Sequence, residues 1–244
     1  MVHVMDNLYI VIPAYNEEAN IETCVAEWHD VVEKHNYNGQ SRLVVIDDGS
    51  EDSTYGQLCQ LRHRYPLLIP LTKKNGGHGS AVLYGYRYAI KNKADYIFQT
   101  DSDGQTNPAE FETFWNYRGK YDAVIGERRV RGDGIIRKFI ENIVCLLLRI
   151  IFGVKTRDAN APFRLMKSAV VKKYISELPS DFNLPNIMFT TYFLYNKERV
   201  KFIPISFKPR KTGKNSINIR KITKIGLKAI ADFMKLKRKM KAQN

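Results

Sequence analysis

Cysteine is scarce in this chain: Cys24, Cys59 and Cys145 are the only three, and none stands in a C-x-x-C spacing. A disulfide scaffold is thereby excluded and no zinc-ligand pattern exists, so a reducing cytosol is the expected compartment. Long apolar runs are missing too. The most apolar stretch, Ile143 to Phe152, is interrupted by Arg149 and falls short of the ~20 residues that a spanning helix needs. No basic segment followed by an apolar one opens the chain, so no secretory signal is expected. Internal repeats and low-complexity linkers are absent as well. What remains is an ordinary globular composition, 44% hydrophobic and 26% charged over 244 residues, enough for one large domain with a substantial core.

Acidic residues are nearly missing from one end. From Lys201 to Asn244 there are fourteen lysines and arginines against a single acid, Asp232, so +13 of the +14 formal charge sits there. The body is close to neutral, which argues against reading the whole protein as a nucleic-acid binder. Within that end Ile222, Ile225, Ala229, Phe233, Leu236 and Met240 recur at helical spacing, and Lys221, Lys224, Lys228, Lys235 and Arg238 occupy another face. A basic amphipathic helix of this kind lies on an anionic membrane surface or packs its apolar face on the domain. The domain boundary is therefore placed between 1–216 and a basic tail, 217–244. Ile135 to Phe152 is a second membrane-contact candidate, with burial in the core as the alternative.

The first half alternates apolar runs with helical patterns, which predicts an α/β fold with a mostly parallel sheet flanked by helices. Leu8 to Ile12 reads as a strand ended by Pro13, Leu43 to Ile46 as a second, Tyr96 to Phe98 as a third and Ala123 to Ile125 as another. Ile21, Val25, Trp28 and Val32 mark a helix, as do Gly79 to Lys91 and the stretch opened by Asn107-Pro108. Polar residues gather where each strand stops, and in open α/β sheets the ligand crevice lies there.

Asp101-Ser102-Asp103 sets two carboxylates one residue apart after a buried strand. Such a pair suits a hard divalent ion beside a diphosphate, although alone it also suits a solvated turn. Asp47-Asp48-Gly49-Ser50 is a turn with a positive φ expected at Gly49, and it sets a carboxylate where a base or ribose could be bound. Asn75 to Ala81 carries three glycines into a helix start, an arrangement open to phosphate. It is neither a Walker A loop nor a dinucleotide G-x-G-x-x-G. His78, within it, reads as a polar loop residue.

Taken in order, Ile12-Pro13-Ala14-Tyr15-Asn16-Glu17-Glu18, Asp47 to Ser50, the glycine loop and Asp101 to Gln105 resemble family 2 glycosyltransferases of the GT-A (Rossmann-like) fold. Gly126-Glu127-Arg128 is similar to that family's G-S-R segment. Asp158 to Arg164 keeps the D…FR spacing of the branch with dolichol-phosphate mannose synthases and bacterial polyprenyl-phosphate sugar transferases, and Arg210 to Ser216 resembles its R-x-x-G-x-S. The resemblance implies an inverting, metal-dependent transfer from a nucleoside-diphosphate sugar to a polyprenyl phosphate or lipid-linked glycan. It implies Pro13, Tyr15 and Glu17 around the nucleotide, Asp47 or Asp48 on the base, and Gly77 and Arg210 among the donor contacts. Asp101 and Asp103 would hold Mg²⁺ or Mn²⁺, with Asp101 also near the ribose. Gln105 would face the sugar, Arg128 and Arg164 the phosphates, and Asp158 is the candidate base.

The implied setting is cytoplasmic, peripheral on the cytosolic face of the membrane through the tail. A soluble or polysaccharide hydroxyl acceptor, in cell-surface glycan synthesis, is the alternative within the same class. A nucleotidyltransferase would carry G-x-G-x-R where Pro13 to Glu17 stand, and a nucleic-acid module leaves the acidic strand ends unexplained. No Q-x-x-R-W occurs, which argues against a processive polymerase.

Overall fold

The computed structural model describes residues 6–128, 135–209, 230 and 232–238. Strand β1, Leu8–Ala14, is buried along its whole length. Its residues alternate between two cores: Tyr9 and Val11 face one, Leu8, Ile10 and Ile12 the other, as the twofold period of a strand requires. Around it lie β2, Arg42–Asp47, and β3, Leu68–Thr72, on one side and β4, Tyr96–Gln99, on the other, all parallel. The predicted end at Ile12, before Pro13, comes two residues early. Pairing with β4 ends at Val11 while pairing with β2 continues to Ala14, and a strand with one open edge tolerates a residue lacking an N–H.

Helices α1, Ile21–Lys34, α2, Thr54–Leu61, and α3, His78–Lys91, connect these strands. Helix α3 crosses the sheet closely because Gly85 faces it, where a Cβ would overlap the side chains of Val11 and Ile46. Asn107 caps the next turn, its side chain accepting from Ala109 N with Pro108 at the first position, and α4, Phe111–Asn116, follows.

The second half comprises β5, Ala123–Arg128, α5, Ile135–Phe152, β6, Arg164–Lys167, α6, Ser168–Ile175, α7, Pro185–Tyr195, and β7, Val200–Ile205. The sheet order is β3-β2-β1-β4-β6-β5-β7, and β6 runs antiparallel to both neighbours. Among the described residues the sheet thus has seven strands, mostly parallel. No described helix is long and apolar enough to cross a membrane. Most of 217–244 lies outside the described residues, but 232–238 are helical, with Phe233 and Leu236 buried and the Phe233 ring 6.2 Å from Phe152.

Asp122 ties the start of β5 to both neighbouring strands. It accepts from Lys167 Nζ at 3.0 Å and from the Arg199 guanidinium at 2.9 and 3.1 Å. The Arg199 bonds hold this carboxyl well below the usual carboxylate range. Its contribution is therefore complete above an ordinary aspartate pKa of about 4 and is lost as pH falls below it. Asp122→Asn is expected to lower the urea midpoint at neutral pH, and the gap to wild type should narrow in acid. A constant gap would show that the ion pairs contribute nothing.

Candidate active site

Loops at the carboxyl ends of β1, β2, β4 and β5 border one cavity of about 590 Å³. Of the residues expected at a site, Pro13, Tyr15, Glu17, Asp48, Gly77, Asp101, Asp103, Gln105 and Arg128 line it. Asp47, Asp158 and Arg164 do not. Arg210 lies outside the described residues.

One wall is built from the first three parallel strands. Asn16 has a positive φ of 53° and locks the loop after β1 to the loop after β2. Its N–H donates to Ser50 Oγ and its Oδ1 accepts from Glu51 N, both at 2.9 Å. Glu17 is buried and accepts from Asn20 Nδ2 at 2.7 Å. The two consecutive aspartates diverge, because neighbouring side chains of an extended segment point opposite ways. Asp47 accepts from Thr72 Oγ1 at 2.8 Å and from Ser50 N at 3.2 Å, which makes it a brace within the sheet end. Asp48 reaches the cavity, where Oδ1 accepts from Lys73 Nζ at 2.6 Å and Gly76 N at 3.0 Å. Gly49 has a φ of 69°, and a Cβ there would sit 2.8 Å from Asn75 N, so the glycine loop rests directly on this turn.

The Asp101 and Asp103 carboxylates stand at the end of β4. Asp101 Oδ1 accepts from Gln99 Nε2 at 3.2 Å and lies 3.7 Å from His78 Nε2, and Asp103 Oδ1 accepts from Gln105 N at 3.1 Å. Loss of solvent, and then the Asp103 charge, push the Asp101 carboxyl well above the usual range. Two carboxylates this close on a polar cavity wall offer the all-oxygen donor set that Mg²⁺ or Mn²⁺ takes. The residues fit such an ion. Gln105 is held by its own Nε2, which donates to Lys208 O at 2.8 Å.

The opposite wall comes from the second half. The Arg128 guanidinium is bidentate on Asp158, Nε to Oδ2 at 2.7 Å and Nη2 to Oδ1 at 2.8 Å, while Arg128 N also donates to Oδ2 at 3.1 Å. Phe207 stacks 5.1 Å from the same guanidinium, and Glu141 Oε2 stands 3.8 Å from it. Asp158 was expected as a base, but both of its oxygens face this fork and it is 3% exposed. Its surroundings are those of a buried ion pair.

Arg164 differs from expectation in the same way. It is fully buried and donates to the carbonyls of Ala159, Ala161 and Asn186. Its five-donor fork suits those carbonyls, so it fastens the segment before β6 to α7 and leaves the phosphate-contact role without a surface on which to act.

Several residues in and around the cavity escaped the sequence reading as site residues. Lys73 precedes the glycine loop and His78 lies within it, where the helix start itself was the available signal. Glu141 is the lone acid in an apolar and basic helix, where it accepts from Ala159 N at 2.8 Å. Asn160, Asn186 and Phe207 carried no signal. Asn186 is buried at the cavity, with Nδ2 on Gln99 Oε1 at 3.1 Å and Oδ1 without a partner.

The family model for glycosyl transferase family 2 matches residues 9–175, more than half of the chain. An undecaprenyl-phosphate mannosyltransferase of Micrococcus luteus is 25% identical over 219 residues, covering 85% of this chain and 86% of its own. Two solved structures share the fold. Glucosyl-3-phosphoglycerate synthase of Mycobacterium tuberculosis, with Mn²⁺, UDP and phosphoglyceric acid, gives a TM-score of 0.68 at 15% identity, covering 95% of this chain and 78% of that one. A mannosyltransferase of Pyrobaculum calidifontis with GDP-Man and Mn²⁺ gives 0.62 at 16% identity over 88% of this chain, which spans only 60% of that structure. The matched span takes in both Asp-rich strand ends, Arg128 and Asp158, so this chain belongs to glycosyl transferase family 2.

Proposed function

We propose that the protein transfers a sugar from a nucleoside-diphosphate sugar to a polyprenyl phosphate at the cytosolic membrane surface, with inversion at the anomeric carbon. One observation carries the reading: Asp48, Asp101 and Asp103 face Arg128 across a single cavity. The name of the Micrococcus luteus relative supports the acceptor. Asp48, braced by Lys73 and Gly76 N, reads the base, with Pro13, Tyr15 and Glu17 around base and ribose. Asp101 and Asp103 hold a divalent ion, Mg²⁺ or Mn²⁺, which when bound offsets charge on the diphosphate.

The bond from the anomeric carbon to the diphosphate oxygen breaks as the acceptor phosphate oxygen bonds from the opposite face. The nucleoside diphosphate leaves with the electron pair. Arg128 faces that developing charge with a guanidinium already oriented by Asp158. Gln105, anchored on Lys208 O, positions the sugar. A lipid phosphate, with a second pKa of about 6, arrives largely ionised at neutral pH and needs no base. Asp158 is therefore a positioning residue in this reading. The lysines of 217–244 add attraction to anionic lipid.

The test is a panel of UDP- and GDP-sugars with Mn²⁺, scored for nucleotide release with and without polyprenyl phosphate. Release from one donor that rises with the lipid is expected. Stimulation by a soluble sugar and not by the lipid would overturn the acceptor; no release from any donor would overturn the activity.

A further inference from the structure

Helix α5 carries two opposed apolar sides. Leu148 and Phe152 are buried beside Glu141, whereas Phe139, Ile143, Leu146 and Ile150 are 64%, 43%, 56% and 69% exposed. At ~100° per residue these four fall within about 60° around the helix, a continuous stripe three turns long. Soluble surfaces scatter exposed apolar residues singly; a stripe in register marks a contact. Met234, 49% exposed, belongs to the segment packed at the end of α5, where Phe233 meets Phe152 and Lys237 Nζ donates to the Ile151 carbonyl.

The flanks identify the occupant. Along one side of the stripe run Lys138, Asn142 and Arg149, all exposed; Lys155, just after α5, and Lys235 and Arg238, on the segment 232–238, are exposed as well. The acids described on these two helical segments are Glu141, buried and bonded to Ala159 N, and Asp232, half-buried. The other flank turns toward the cavity, which Ile140 lines. A second copy seated on this face by a twofold axis would set its own basic rim against an identical one. An anionic surface meets no such repulsion.

We propose that the outer face of α5 seats in the headgroup–acyl boundary of an anionic bilayer, Phe139, Ile143, Leu146 and Ile150 inserted and the basic flank on lipid phosphates. The cavity then opens at the lipid surface, along the flank that bears Ile140. This deepens the proposed function and rests on its lipid-phosphate acceptor. It differs from attachment by the tail, because apolar insertion by the catalytic domain orients the cavity whereas lysines on a tail only tether it.

The experiment is flotation of the full chain with vesicles of phosphatidylcholine and phosphatidylglycerol, comparing wild type with Ile143→Ser/Ile150→Ser and with Lys138→Glu/Arg149→Glu. None of these residues lines the cavity, all are exposed, and the tail is intact in each variant. Both variants are expected to keep the wild-type melting temperature and donor hydrolysis, and to lose at least about tenfold in vesicle partitioning. Wild-type flotation of the serine variant would overturn the proposal in favour of the tail alone. A wild-type dimer in sedimentation velocity that dissociates in the serine variant would overturn it in favour of a second copy. Loss of flotation in a protein that hydrolyses no donor would sustain the docking face and sink the enzymatic reading, so the two fail separately.

Discussion

Asp103→Asn is expected to fold normally and to lose about 10²–10³-fold in turnover. The fold should survive because asparagine keeps an oxygen to accept from Gln105 N, the bond that shapes the loop. Removing the charge also relieves Asp101, whose carboxyl is raised by burial and then by Asp103. Stability should therefore hold or rise while Mn²⁺ affinity and nucleotide release fall together. Excess EDTA should abolish wild-type activity, and added Mn²⁺ should restore it. Near-wild-type turnover of the variant, or full activity in EDTA, would remove the carboxylate pair from the mechanism.

Asp158→Asn should have an effect of another kind. The wild-type carboxylate binds a guanidinium whose side chain is 6% exposed, and leaving one member of a buried pair uncompensated costs about 3–5 kcal/mol. The melting temperature should fall by roughly 6–20 °C, taking 2–4 °C per kcal/mol for a chain of this size. Donor KM should rise with kcat lowered, because Arg128 loses its orientation. The pH profile should keep its shape, since a positioning residue takes up no proton during the transfer. Removal of a general base commonly costs 10²–10⁴-fold and flattens the acidic limb, where the base is protonated. A flattened profile at unchanged stability would restore Asp158 as the base.

The strands that sit between two cores were legible because three or more consecutive apolar residues end at polar turns: β1, β2, β4 and β5 lie where that pattern put them. Strand β3 was not, since Leu68–Thr72 is only half-buried and contains Pro70. Helix α7 was hidden for the opposite reason. Every residue from Pro185 to Phe193 is buried, so no polar face exists to reveal a helical period. The first cavity wall was read nearly whole from local motifs, each lying within a few residues of a strand end. Asp158 and Arg164 were recognised as notable but not as partners of Arg128 and of backbone carbonyls, because those pairings join segments that meet only through β6. Asn186 and Phe207 enter the cavity from elements without any motif.

The cavity divides along the chain. Every residue of its first wall, from Pro13 to Gln105, precedes β5, and every residue of its second, from Arg128 to Phe207, follows the start of β5. The hydrogen bonds from Gln105 Nε2 to Lys208 O and from Asn186 Nδ2 to Gln99 Oε1 bridge the halves. Antiparallel β6 is the seam, its edges shared with β4 on one side and β5 on the other. Recombination at this seam is thus a design route: a related chain's residues 123–209 could be grafted onto residues 6–122 with both side-chain bridges retained. Under the proposed function, such a hybrid is expected to keep the base contacts of the first wall while taking its phosphate-facing guanidinium from the graft, and a donor panel on the hybrid would read the two contributions separately.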